Sequence, residues 1–428
     1  MAAAPATGTA GTSTATPPIR LPRTIGLVAA TGSGVAIIVG AGVYVLLGEA
    51  AGRAGNAVWL SFVVAGAAAL FTGLSYAELS AMYPRDAGGY TYAKEAFGGR
   101  VAFVVGWLTL FAQVISVAAV ALGFGAYFNQ HLGLPRAVAG ALLTVACGWV
   151  AYRGSRETTT LGAVLSILEV GGLVAIIVAA FGYWGDVNYV ETAKGISGIF
   201  GGASLVFFAF LGFEQIADMA GEIRNPERNL PLAILVSGGV SAALYIGAAL
   251  AAVSVLGWNT LSGTDAPLVE VAKAAMGAPG ANALFAIALI STASTALIAL
   301  MAATRTIYGM AVGGSLPSLL GRVHPRRETP WIATAAVAAI ATLTVVVGKI
   351  GVVAEMTNVA ILLVFLVVNA ALITLRRKAR RHRRPFRIPG SIAGVPVTGL
   401  LGIGTTLLLL ASADLWPLVL GLTVAGST

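Results

Sequence analysis

Long apolar runs separated by short polar stretches recur from Ile25 almost to the end of the chain, at about residues 25–48, 57–82, 101–128, 135–152, 159–181, 201–221, 231–256, 281–303, 331–348, 355–375 and 392–411. Each approaches or exceeds the length a helix needs to cross a hydrocarbon layer roughly 30 Å thick. Backbone groups in lipid must be paired internally, which leaves helices or closed barrels. The runs are continuous and lack the in-out alternation of barrel strands, so they predict eleven spanning helices. Leu415–Gly426 would measure only about 18 Å as a helix. It is read as a short twelfth span over a thinned bilayer, with a dipping tail as the alternative.

Composition agrees with a chain whose solvent is lipid. Of the 428 residues, 57% are hydrophobic and 10% are charged, where soluble domains carry about 25% charged residues. The first 24 residues are small, polar and Pro-rich, which predicts disorder. The apolar run after them is too long for a signal peptide and is read as a retained first span.

The net charge of +9 raises a nucleic-acid reading, with "RRKARRHRRPFR" (376–387) as its best support. That segment directly follows an apolar span, where basic residues mark the cytoplasmic side. With the N-terminus cytoplasmic and the spans alternating, 21 of the 26 Lys and Arg fall on the cytoplasmic side and 5 on the other. The expectation is a multi-pass protein of the cell membrane with anionic lipid near 376–387 and no nucleic-acid partner. The one cysteine, Cys147, has no intrachain partner, and the oligomeric state is not legible.

Two spans are weak at mid-depth. In "VAIIVGAGVYVL" the residues Gly40, Ala41 and Gly42 are poor material for a rigid helix. A break there would free N–H groups from Ala41 onward for a carboxylate and leave carbonyls at Ile37, Ile38 and Val39 for an ammonium. A zwitterion fits both. The blander reading of these glycines is close helix packing. The partner is "FFAFLGFEQIADMAGE" in the sixth span, with Gly212 and Glu214 near the midplane. Phe210 is a candidate pocket or gate residue, and Ile38, Gly40, Ala41, Gly42, Phe210, Gly212 and Glu214 form the candidate substrate site.

Other polar residues at membrane depth invite roles. Glu169 interrupts "LGAVLSILEVGGLVAIIVAAF" and must be paired, water-exposed or protonated. It is the candidate proton-coupling group, against a static hydrogen bond to a hydroxyl. Ser291 and Ser294 in "ALISTASTALIAL" are candidates for an ion or a polar network, although such hydroxyls also bond back to their own helix. Glu78, Arg85, Asp218, Glu222 and Arg224 lie near cytoplasmic ends and form a candidate gate, in which the loops after the second and sixth spans interlock. The three histidines are scattered, no metal or other cofactor is expected, and no P-loop motif is present.

The first and sixth spans stand five apart, so a repeat of that length enters the membrane from opposite sides. The chain divides accordingly into a disordered cytoplasmic N-terminus (1–24), helices 1–5 (25–181), helices 6–10 (201–375), a basic cytoplasmic loop (376–391), and helix 11 with a short helix 12 (392–428).

Several motifs resemble those of the amino acid–polyamine–organocation superfamily, in its cationic amino acid transporter and bacterial amino acid permease branch. They are "GVAIIVGAGVYVLLG", "YAELSAMYPRDAGGYTYAKEAFG", "FFAFLGFEQIADMAGEIRNPERNLPLAI" and "RRPFRIPG". The resemblance covers nearly the whole folded part. It implies an all-α leucine-transporter-like 5+5 inverted repeat with discontinuous helices 1 and 6, plus one or two C-terminal helices, and secondary transport of amino acids or close relatives. It also implies that Gly40, Ala41 and Gly42 meet the substrate carboxylate, while carbonyls of the first span and of the sixth near Phe210 face its amine. One departure matters: many proton-coupled relatives have a lysine where this chain has Glu169.

The function expected is therefore not enzymatic. It is secondary active transport of amino acids by alternating access, with H+ as the candidate coupling ion ahead of Na+. Two alternatives stay open, an amino acid or polyamine exchanger without net ion coupling and a non-transporting membrane sensor or structural subunit.

Overall fold

The computed structural model describes residues 23–83, 88–154, 158–218, 222–379, 382–392, 394–414, 416, 417, 419 and 423. Arg85, nearly all of the N-terminal 24 residues and most of the segment proposed as a twelfth helix lie outside them. The side chain of Asp218 lies outside them as well.

Each of the eleven apolar runs is helical over most of its described length. The first is two helices, α1 (Leu27–Ile38) and α2 (Ala41–Ala54), and the second is α3 (Val58–Met82). After a short helix α4 (Gly88–Phe97) come α5 (Gly99–Leu132), α6 (Arg136–Arg153) and α7 (Thr158–Ala179). The sixth run comprises α8 (Gly195–Val206), a 3-10 turn (Phe207–Phe210) and α9 (Phe213–Asp218). Then follow α10 (Pro226–Ser262), α11 (Pro267–Val312), α12 (Trp331–Val347), α13 (Ile350–Lys378) and α14 (Val397–Ala411). Before α14, Ser391–Ile392 and Val395–Pro396 pair as a two-stranded antiparallel hairpin.

Among the described residues, seven helical stretches are long and apolar enough to cross a membrane, and α1, α12 and α14 are shorter apolar helices. The chain is an all-helical, multi-pass membrane protein. α10 and α11 bend where Gly257 and Gly277 take φ of +69° and +72°, a region open mainly to glycine.

The breaks in the first and sixth runs have local causes. At Gly40 the backbone is extended (φ −114°, ψ −152°), which stops α1 and restarts the helix at Ala41. Gly212 has φ +120°, a conformation that a residue with a Cβ resists.

The broken first run packs on the broken sixth (α2 on α8, α1 on α9) and on α10, while α3 packs on α10, α5 on α6, α11 and α13, and α6 on α12. The core is made of Ala, Val, Leu and Phe, with fully buried tyrosines at Tyr44, Tyr127 and Tyr245.

Candidate functional site

The two breaks touch. A Cβ on Gly212 would lie 2.7 Å from the Ile37 side chain and 3.0 Å from its carbonyl oxygen, and a Cβ on Gly42 would lie 2.5 Å from Ala209 Cα. Close backbone approach, rather than an unusual φ, is what requires glycine at position 42. Gly40 serves the same purpose toward α11, where Thr295 Oγ1 would stand 2.8 Å from an added Cβ.

Hydrogen bonds at the junction account for some main-chain groups and leave others. The Ile38 carbonyl accepts from Gly40 N at 2.8 Å. The Tyr245 hydroxyl, from α10, lies 2.7 Å from the same carbonyl and 3.0 Å from that of Ala209, and its single proton serves one at a time. Ala41 N donates to Thr295 Oγ1 at 3.3 Å. The N–H groups of Gly42 and Val43, in the first turn of α2, have no partner among the described residues. Free donors at a helix start form a ready anion site.

In the sixth run, Gly212 N donates to Glu214 Oε2 at 2.9 Å, so this carboxylate caps the break beside it. Phe210 is 2% exposed, with its ring against Tyr245 (centroids 5.2 Å, 80°). Ile38 and Phe210 also line an apolar cavity of about 200 Å³ between α3 and α10.

Glu169 is 3% exposed on α7. It has no ion-pair partner among the described residues. Ser294 Oγ lies 3.2 Å from its carboxylate and 3.0 Å from the Ser291 carbonyl, its single proton serving one at a time, and the buried Ser291 hydroxyl has no hydrogen-bond partner among the described residues. The Tyr44 hydroxyl donates to the Glu169 main-chain carbonyl at 2.7 Å, and the Tyr127 hydroxyl to the Tyr44 carbonyl at 2.6 Å. Adjacent residues of α11, Ser294 and Thr295, thus connect the buried acid to the first N–H of α2.

At the end of the molecule where α3 and α13 terminate, Glu78 is fully buried. It accepts from Arg376 Nε, Arg384 and Ile388 N, each at 2.9 Å, and forms an ion pair with each arginine. Its partners therefore come from the basic segment rather than from the loop after the sixth run. That loop closes on the chain's beginning through its backbone: Ile25 N donates to Glu222 O at 3.0 Å and Arg224 N to Ile25 O at 2.8 Å. The sequence reading gave the arginines of 376–387 to topology and lipid alone and missed this node, although a carboxylate at the end of an apolar span signals a need for a cation.

The opposite end has its own ionic cluster, also missed. Arg53 pairs with buried Glu355 and with Asp414 at 3.2 Å, and donates to Gly201 O at 3.3 Å. One arginine thereby ties α2, α8, α13 and the chain after α14 together.

A family model described as amino acid permease matches residues 24–420. The chain belongs to the amino acid permease family. This permease is 30% identical over 405 residues to the branched-chain amino acid permease BcaP of Bacillus subtilis (strain 168), covering 90% of this chain and 86% of that protein. It is 29% identical over 412 residues to the methylthioribose transporter of the same organism, covering 90% of this chain and 87% of the other. It is also 29% identical over 386 residues to the vacuolar cationic amino acid transporter 4 of Arabidopsis thaliana, covering 84% of this chain and 64% of that one. The matched range takes in both breaks, Glu169 and the Glu78 node.

Proposed function

We propose that this permease carries amino acids across the cell membrane by alternating access around the two touching breaks. The observation that carries the reading is the pair of unpartnered N–H groups of Gly42 and Val43 beside the carbonyl-rich ends of α1 and of the 3-10 turn. A carboxylate takes the donors and an ammonium the acceptors. Ile38, Gly40, Ala41, Gly42, Phe210, Gly212 and Glu214 form that site, with Glu214 holding the shape of the sixth-span break through Gly212 N.

Glu169 is the coupling group in this reading, and H+ is the ion. Its carboxyl is buried in apolar surroundings and is linked through Ser294 and Thr295 to Ala41. Movement of α2 against α11 alters that link, and with it the surroundings of the carboxyl. Ser291 and Ser294 act as its polar network rather than as sodium ligands. The N-terminus and the Glu78 end face the cytoplasm, in keeping with the distribution of basic residues. Arg377, Arg383 and Arg387 are exposed there and attract anionic lipid.

Glu222 and Arg224, through the backbone bonds to Ile25, form the inner gate together with the Glu78 node. The test is uptake of a labelled amino acid panel into proteoliposomes with an imposed pH gradient. Acid-outside stimulation with empty vesicles is expected. Strict dependence on internal substrate would turn the reading to exchange, and absence of binding and flux across the panel would overturn it.

A further inference from the structure

Away from the Glu78 end, one face of α13 looks onto α8, the 3-10 turn and the end of α2, and its residues there recur at helical spacing: Gly351, Glu355, Asn358 and Phe365. Each meets a partner across the seam. A Cβ on Gly351 would collide with the Glu49 carboxylate, and Glu355 pairs with Arg53. Asn358 Nδ2 donates to the carbonyls of Ser204 at 2.7 Å and Leu205 at 3.1 Å, and the Phe365 ring meets Phe207 edge-on. Glu355 lies about 31 Å along α13 from Arg376 of the Glu78 node. That is roughly the thickness of a hydrocarbon layer, so the charged end of the seam stands at the opposite membrane surface.

The chain just past α14 completes the seam. The Asp414 carboxylate accepts from Arg53 at 3.2 Å and its N–H donates to Glu355 at 3.2 Å, while Arg53 also donates to Gly201 O of α8. These contacts are ones that water can replace. A buried ion pair adds little net stability, because desolvation offsets the attraction. One layer inward, Asn358 Oδ1 and Ser204 Oγ are buried without a hydrogen-bond partner among the described residues. Water or a passing solute removes that deficit once α13 and α8 separate. The breaks at Gly40 and Gly212 divide α2 and α8 from α1 and α9, so the half-helices on this side can tilt by themselves.

We infer that Arg53, Glu355 and Asp414 are the gate on the outer side of the central site, shut in this structure, with the contact of Asn358 and α8 as its second layer. Arg53 releases α13 and the chain past α14 when the solute enters, and holds them while the site opens the other way. The final span is thereby part of the transport machinery. This inference rests on the alternating-access reading given above.

The test is the labelling rate of a cysteine behind the gate, Ser204→Cys, by a hydrophilic methanethiosulfonate on the full chain purified in lipid nanodiscs, each cysteine being read on its own peptide by mass spectrometry. Adding Arg53→Gln or Glu355→Gln should raise the rate about tenfold or more, since each breaks the buried pair. Asp414→Asn should raise it about threefold, its side chain being 62% exposed, and Asp414→Glu should leave it slow. Native Cys147, buried on α6, reports general loosening and should stay unlabelled. An unchanged rate at Ser204→Cys in all the charge variants, or an equal rise at Cys147, overturns the gate. If Arg53→Gln and Glu355→Gln are not recovered folded, the two Asp414 variants decide alone. Labelling needs no solute, so a gate that responds in a chain taking up no amino acid keeps the gate and removes the amino acid reading.

Discussion

The hydroxyl of Tyr245 stands 2.7 Å from the carbonyl of Ile38, joining the seventh span to the last carbonyl of the first half-helix. The same oxygen reaches the carbonyl of Ala209, so one side chain touches both breaks. Neither carbonyl has an i+4 N–H to receive in an uninterrupted helix, because at both places the helix has ended.

Tyr245→Phe is therefore expected to destabilise the junction while preserving the aromatic contact with Phe210. The Ile38 carbonyl keeps its bond from Gly40 N, so the acceptor that loses its donor is the Ala209 carbonyl, and leaving a buried acceptor unpaired costs about 1–3 kcal/mol. Thermal unfolding in detergent should show a lower midpoint and uptake should show a raised KM. A variant with wild-type values on both would mean that the hydroxyl does not support the breaks.

Much of this arrangement was legible in the sequence, and the reason is local. A glycine-rich interruption in a lipid-crossing run is visible without a partner, and so is a carboxylate at membrane depth, which is how Gly40, Gly42, Gly212 and Glu169 stood out. Tyr245 did not, because its role depends on carbonyls 207 and 36 positions away, and a tyrosine in an apolar helix is ordinary core material. Thr295 was passed over beside Ser291 and Ser294, since nothing along the chain says which hydroxyl of a helix faces Ala41. Arg376 was read as one of a run of basic residues. Only the fold brings it 298 positions back to Glu78.

Gly42→Val tests the close approach of the two broken runs. The new Cβ would fall 2.5 Å from Ala209 Cα, a distance that backbone must yield to. Overpacking of this kind costs about 1–3 kcal/mol, and displacement of α2 would weaken substrate binding roughly tenfold. Membrane insertion, checked by extraction and size exclusion, should be normal. Unchanged affinity would dissociate the junction from the binding site.

Glu78→Ala should damage stability more than any surface charge change. It leaves Arg376, whose side chain is 3% exposed, without its carboxylate. Breaking a buried pair by removing one partner costs about 3–5 kcal/mol. The loss should appear as a clearly lower unfolding midpoint, whereas Arg383→Ala, on the exposed Glu227 pair at 3.6 Å, should change it little. Similar midpoints for the two variants would make the Glu78 node dispensable.

Glu169→Gln keeps the shape of the side chain and its place beside Ser294 but removes the titrating proton. If the carboxyl is charged and discharged during the cycle, wild-type uptake rises as the outside is made acid, and the glutamine variant loses that response while still binding substrate. Ser294→Ala provides the control, because it removes the hydroxyl that lies 3.2 Å from the carboxylate without removing the acid. A hydrogen bond made preferentially to one protonation state biases titration, so pH dependence should persist in Ser294→Ala with a displaced midpoint. Counterflow, which needs no gradient, separates the step lost: a Glu169→Gln protein that exchanges but does not concentrate substrate has lost coupling alone. A Glu169→Gln protein with the wild-type pH profile would reduce Glu169 to a structural hydrogen-bonding group and move the search for the proton site elsewhere in the bundle.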